Sequence, residues 1–157
     1  MSEISDMQML GDTSEPKEEK DMTYVTLVGD DVALLEGLAQ SLAALGHVPT
    51  VTTSLAEARE LSAARPPLVL VADRALASGA GAELLSVPLA AGGARMLYRT
   101  NAAPLAPLLP ALQRAVLADL TLPLERHRLA ALIQSLGERA RATGRSARRT
   151  PTEGRVI

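Results

Sequence analysis

The sequence predicts an α/β domain in which five strands alternate with five helices, forming a parallel sheet between two helical layers. Three observations predict it. Short β-prone runs alternate with segments carrying leucines at helical spacing. One run, Leu68 to Ala72 (LVLVA), is apolar without alternation, as in a strand covered on both faces. Turn formers (Gly29-Asp30-Asp31, Leu45-Gly46, Pro66-Pro67) fall between the runs.

Each element has a local reason. Tyr24 to Val28 (YVTLV) is the first strand, and the carboxylates at 30 and 31 can cap the helix that follows. Leu34, Leu38, Leu42 and Leu45 make one stripe on that helix, which Gly46 stops. Val48 to Thr52 is the second strand. Ser54, with Glu57 three residues later, has the capping-box pattern and opens a helix over Leu55 to Ala64, ended by Pro66-Pro67. Leu68 to Ala72 is the third strand, with Asp73 at its carboxyl end. Gly79-Ala80-Gly81 marks a loop, Ala82 to Ser86 a short helix cut by Pro88, and Ala94 to Tyr98 the fourth strand. Pro104, Pro107 and Pro110 exclude an ordinary helix across them. Pro110 suits the first turn of a helix reaching about Leu117. Asp119 to Leu122 is the fifth strand. The last helix runs from Leu124 to about Arg141, with Leu129, Leu132, Ile133 and Leu136 on one face.

Charge divides the 157 residues into three parts. Residues 1–22 hold seven acids and two lysines, a net −5, and read as a disordered acidic leader. Residues 23–142 are the domain, and 143–157 a flexible tail within an arginine-rich end that carries +4 over residues 138–157. Absence of cysteine excludes disulfides, thiol nucleophiles and cysteine-based zinc sites. Two histidines leave no histidine-rich metal centre; His47 reads as a turn residue and His127, between two arginines, as a surface residue. No apolar run reaches membrane-spanning length and the N-terminus is acidic, so a cytoplasmic location is expected. Ser54 and Ser86 have no histidine at informative spacing, and Val28-Gly29-Asp30 lacks the further glycines of a dinucleotide loop.

In such folds ligands bind at the carboxyl ends of the strands. Asp30, Asp31 and Asp73 stand there. A lone aspartate at a strand end is usually a cap or turn residue. In a flavodoxin-like strand order, however, the first and third strands are neighbours, and acids brought together would repel unless a hard cation such as Mg²⁺ joined them.

Over residues 24 to about 142 the sequence resembles the receiver domains of bacterial response regulators. VTLVGDD resembles that family's first strand and acidic cluster, and Leu45-Gly46 its helix-ending turn. Pro67-Leu68-Val69-Leu70-Val71-Ala72-Asp73 matches the family's P-D-L-V-L-L-D, and Asp73 to Leu85 follows D-x-x-L-P-x-x-D-G-x-E-L-L, with Ala77 and Ala80 as departures. The resemblance implies that Asp73 accepts a phosphoryl group from a partner kinase, that Thr100 is the switch hydroxyl, and that Asp30, Asp31 and Asp73 hold Mg²⁺ with the carbonyl of Ala75. Aligned on Gly46, Gly29 takes the first acid position and Asp30 the second; shifted by one, Asp30 and Asp31 are the pair. It also implies a sensor histidine kinase or other signalling protein as partner and no enzymatic turnover, and is compatible with a homodimer.

Departures cluster at the switch. The lysine that should precede Pro123 is Leu122, and residues 21–157 contain no lysine. The aromatic switch position is Asp119. Arg99 is no equivalent of a lysine point charge. Two readings follow: a phosphorylatable receiver with a nonstandard switch, or a pseudo-receiver acting as a phosphorylation-independent interaction module. Nucleic-acid binding by the arginine tail is a weaker third reading, because nothing in the tail reads bases.

Overall fold

A computed structural model describes residues 22–77, 81–100 and 107–156. The order is β1 (Tyr24–Val28), α1 (Val32–Ala44), β2 (Val48–Thr52), α2 (Leu55–Ala64), β3 (Val69–Asp73), a 3₁₀ turn (Arg74–Leu76), α3 (Ala82–Leu85), β4 (Ala94–Thr100), α4 (Pro110–Ala115), β5 (Ala118–Leu122) and α5 (Arg126–Val156). All strands are parallel, in the order β2-β1-β3-β4-β5. This is the flavodoxin-like arrangement expected from the alternation, with β1 and β3 adjacent.

The capping chemistry behaves as the sequence requires. Asp31 Oδ1 accepts the Leu34 N–H at 3.1 Å at the start of α1, and Ser54 Oγ accepts the Glu57 N–H at 3.1 Å at the start of α2. Gly46, at φ +95°, supplies the left-handed turn after α1. The short α3 is closed by Arg95 of β4, whose guanidinium donates to the carbonyls of Leu84, Leu85 and Val87 at 3.1, 3.1 and 2.6 Å. Leu85 and Val87 thereby gain a donor at and just past the helix end, while the Leu84 carbonyl also accepts the Val87 N–H at 3.4 Å.

Alternation along the strands sorts side chains into two cores. Val25, Leu27, Val69, Val71, Met96, Tyr98, Leu120 and Leu122 meet Leu35, Leu38 and Leu42 of α1 and Leu129, Ile133 and Leu136 of α5. Val28, Leu70, Ala72 and Leu97 meet Leu55 and Ala58 of α2, Leu84 of α3 and Leu112 of α4. A fully buried leucine contributes about 1.5–3 kcal/mol relative to an exposed one, so these layers supply the main driving force for a chain with two aromatics.

Two observations differ from the sequence reading. His47 follows the turn but is buried at 8% exposure, with Nε2 unpartnered among the described residues. Burial, and secondarily the charge of Arg141, hold its imidazole below the usual pKa. The last helix runs past the expected end near Arg141, to Val156. His127 is exposed, as expected. Pro104 and the 79–80 part of the glycine loop lie outside the described residues. Among the described residues no helix is long and apolar enough to cross a membrane.

Candidate functional site

The register brings Asp73, Thr100, Gly29 and Leu122 to one end of one face, while Asp30 and Asp31 follow β1 in the exposed turn. Val28 pairs with Ala72, so Gly29 lies beside Asp73, and Asp73 pairs with Tyr98. Thr100 pairs with Leu122. Residues 25, 27 and 29, 69, 71 and 73, 96, 98 and 100, and 120 and 122 share the face toward α1 and α5 by the two-residue period of a strand. Asp73, Thr100 and the residues at the lysine and first-acid positions therefore belong to one neighbourhood.

Asp73 is half-buried, and its Oδ1 accepts the Ala75 N–H at 2.9 Å, which opens the 3₁₀ turn. Asp30 and Asp31 are exposed, and one oxygen of Asp31 is committed to the α1 cap. Thr100 is half-buried at the end of β4, about two strand residues, or roughly 6–7 Å, beyond the partner of Asp73. Among the described residues, no three His, Cys, Asp or Glu side chains gather as a group able to hold a metal ion.

Tyr98 is the residue that sequence reasoning missed. It is completely buried, and its hydroxyl has no hydrogen-bond partner among the described residues. That hydroxyl is pressed against Gly29, where a β-carbon would overlap it; the ring carbon Cζ would lie 3.1 Å from the same β-carbon. Burial, followed by the charges of Asp73, Asp31 and Asp30, raises its ionisation far above that of an ordinary tyrosine, so the phenol is neutral at any physiological pH. A signal for this existed. Gly29 leaves a hole on a core-facing position, and Tyr98, on β4 beyond β3, is the aromatic that faces the same core at that level.

The lysine position carries no polar reach. Leu122 is completely buried in the core that contains Tyr98, just before a cis peptide bond to Pro123. Asp119, at the aromatic position, instead receives Arg74 Nη1 on its Oδ2 at 2.8 Å, an ion pair joining the residue after Asp73 to β5. Arg99 is turned the other way, its Nε donating to Thr121 Oγ1 at 3.1 Å. The Thr121 N–H reaches Glu125 at 3.4 Å, and Glu125 pairs with Arg128 at 2.9 Å. The hydrogen bond from Arg128 is the main reason the Glu125 carboxyl titrates below its usual range. Both arginines nearest the site are thus engaged with β5 or the start of α5.

No protein-family model matches the sequence. No curated protein matches it either. Solved structures do match. The signal receiver domain of a putative Luxo repressor protein from Vibrio parahaemolyticus superposes with TM-score 0.59 at 16% identity, over 78% of this chain and 95% of that one. A response regulator receiver domain from Clostridium thermocellum gives TM-score 0.60 at 13% identity, over 78% and 99%. A CheY-like receiver domain protein from Methanospirillum hungatei gives 0.59 at 20%, over 77% and 98%. The chain has the fold of response regulator receiver domains, over nearly their whole length.

Proposed function

We propose that this chain is a receiver-fold module of phosphorelay-type signalling that works by phosphorylation-independent contact with a partner protein. The observation that carries the reading is the filling of the strand-end site. Where the fold can present carboxylates and a lysine around Asp73, this chain places Gly29, the ring of Tyr98 and the buried Leu122.

The donor set is a poor fit to Mg²⁺. That ion demands near-octahedral oxygen ligands at about 2.0–2.1 Å. Asp31 spends one oxygen on its helix cap, position 29 has no side chain to offer, and the neutral Tyr98 phenol is a weak ligand. No step is therefore routed through the ion. Leu122 adds no charge toward a transferring phosphoryl group, and Arg74 and Arg99 both point their hydrogen bonds to β5.

One feature favours the alternative, acceptance of a phosphoryl group on Asp73 with Thr100 following it. Asp73 is half-buried rather than sealed, and Thr100 lies on the same face further along β4. Incubation with a small phosphodonor and Mg²⁺, for the protein and for Asp73→Ala, separates the readings. The interaction module gives no Asp73-dependent, acid-stable and hydroxylamine-labile adduct. An adduct present in the protein and absent in Asp73→Ala would overturn it in favour of the phosphoreceiver.

A further inference from the structure

We propose that Tyr98 is the residue that decides whether the strand-end site admits a divalent cation: its ring and hydroxyl occupy, from β4, the space that a side chain at position 29 would fill from β1. This rests on the reading above and names the residue responsible for it. The volume argument is direct. A β-carbon at Gly29 would overlap the Tyr98 hydroxyl, so the gap between the ends of β1 and β3 on this face belongs to the tyrosine. The ring has nowhere simple to go, being completely buried among Leu27, Leu35 and Leu122 in the α1 and α5 core.

The chemistry points the same way. The Tyr98 hydroxyl ends against Gly29, and Gly29 lies beside Asp73, so the oxygen stands at the strand end that carries Asp73. What stands beside the missing side chain of position 29 is therefore a phenol. A cation entering there would lose water ligands, displace the ring, and gain at position 29 nothing that could coordinate it. The unpartnered hydroxyl of a residue at 0% exposure, set against Gly29 at the strand end, is a built feature rather than a surface accident.

The plug is separable from the carboxylates by substitution. Mn²⁺ serves as the probe, since carboxylate oxygens suit it as they suit Mg²⁺, and its free form is counted by electron paramagnetic resonance. Four proteins are compared: the native chain, Tyr98→Phe, Tyr98→Leu, and Tyr98→Leu with Gly29→Asp, each checked for folding by circular dichroism. The native chain and Tyr98→Phe, which keeps the ring, are expected to bind Mn²⁺ weakly. The double variant is expected to bind at least about tenfold more tightly, a gain lost when Asp73→Asn is added. A folded double variant no tighter than the native chain overturns the proposal, as does a native chain that already binds as tightly through Asp73. Should the double variant not fold, Tyr98→Leu alone decides by the same comparison, with a gain of about threefold over Tyr98→Phe as the threshold. Failure here leaves the contact-module reading standing so long as Asp73 stays unlabelled by the phosphodonor. Labelling of the native chain sinks that reading even if the double variant gains its cation.

Discussion

Substituting Gly29 by alanine poses a sharp question, because two physical arguments give opposite signs. Gly29 is not among the glycines with positive φ, which are Gly46, Gly81 and Gly92, so its backbone conformation is open to any residue. On that ground alone Gly29→Ala would stabilise the domain by about 0.4–1 kcal/mol, through the entropy of the unfolded chain. The packing argument opposes it. The new β-carbon overlaps the Tyr98 hydroxyl and would come within 3.1 Å of Cζ and 3.4 Å of Leu35 Cδ1. Forcing a fully buried ring aside costs about 1–3 kcal/mol, and this term wins. The expected result is a net loss of about 1–2 kcal/mol, a fall in melting temperature of roughly 3–5 °C per kcal/mol for a domain of this size. In the Tyr98→Phe background the worst overlap is gone but Cζ remains close, so the same alanine should cost less than in the native background, a coupling of about 1 kcal/mol in a double-mutant cycle. Tyr98→Phe alone should cost little, because it removes a buried hydroxyl that has no partner among the described residues. Urea unfolding followed by circular dichroism reads all four corners. A coupling below about 0.5 kcal/mol, or an alanine that stabilises the native background, would refute the claim that Tyr98 owns this space.

Other consequences concern stability away from that contact. Because burial lowers the His47 pKa, the unfolded chain takes up a proton first as pH falls. The stability this residue contributes is complete above about pH 6.5 and is lost progressively below it, so thermal melts between pH 7 and pH 5 should slope less in His47→Gln. Gly81 opens α3 at φ +73°, and a β-carbon there would sit 2.7 Å from Leu112 Cδ1. Gly81→Ala should therefore lose about 1–2 kcal/mol in denaturant unfolding, mostly from the left-handed backbone, since the leucine methyl can yield. The Arg74–Asp119 pair is 13% and 29% exposed on its two sides, and a cycle of Arg74→Ala and Asp119→Ala should return a coupling of about 0.5–1 kcal/mol that shrinks in high salt.

The fold was legible because its signals are local and repeated. Leucine spacing marked the α1 face only in part, since Leu38 and Leu42 lie in it and Leu34 at its margin while Leu35 is the completely buried one and Leu45 is 56% exposed; the unalternating LVLVA run marked a strand covered by both cores. Ser54 and Asp31 declared their helix starts through chemistry that needs no tertiary context. What failed to show was where a local preference met long-range packing. His47 looked like a turn residue because it follows Gly46, yet it is buried, and the charge of Arg141 from α5 acts on it; Gly137 of the same helix approaches Thr23, next to β1, so closely that a β-carbon would sit 2.6 Å from Oγ1. A pattern read within one segment cannot anticipate what a distant helix supplies.

The candidate site exposes the same limit more sharply. Position by position, the sequence presents Gly29 and Leu122 as subtractions, an acid and a lysine that are missing. Tyr98 escapes notice in that comparison because it lies two residues before the strand end, in a run whose members simply face the core. Register changes its meaning: Gly29 lies beside Asp73, Asp73 pairs with Tyr98, and the strand period turns all three to one face. The absent side chain on β1 and the oversized one on β4 then occupy a single volume, with Leu122 closing its β5 side within the same core. Loss of a side chain alone would leave a hole that water and cations could enter. A hole filled by a neutral, fully buried ring is a different state, in which an acid restored at position 29 would meet the Tyr98 oxygen before it met a metal ion. Reinstating the missing residues one at a time should therefore fail, and reversal has to begin at Tyr98.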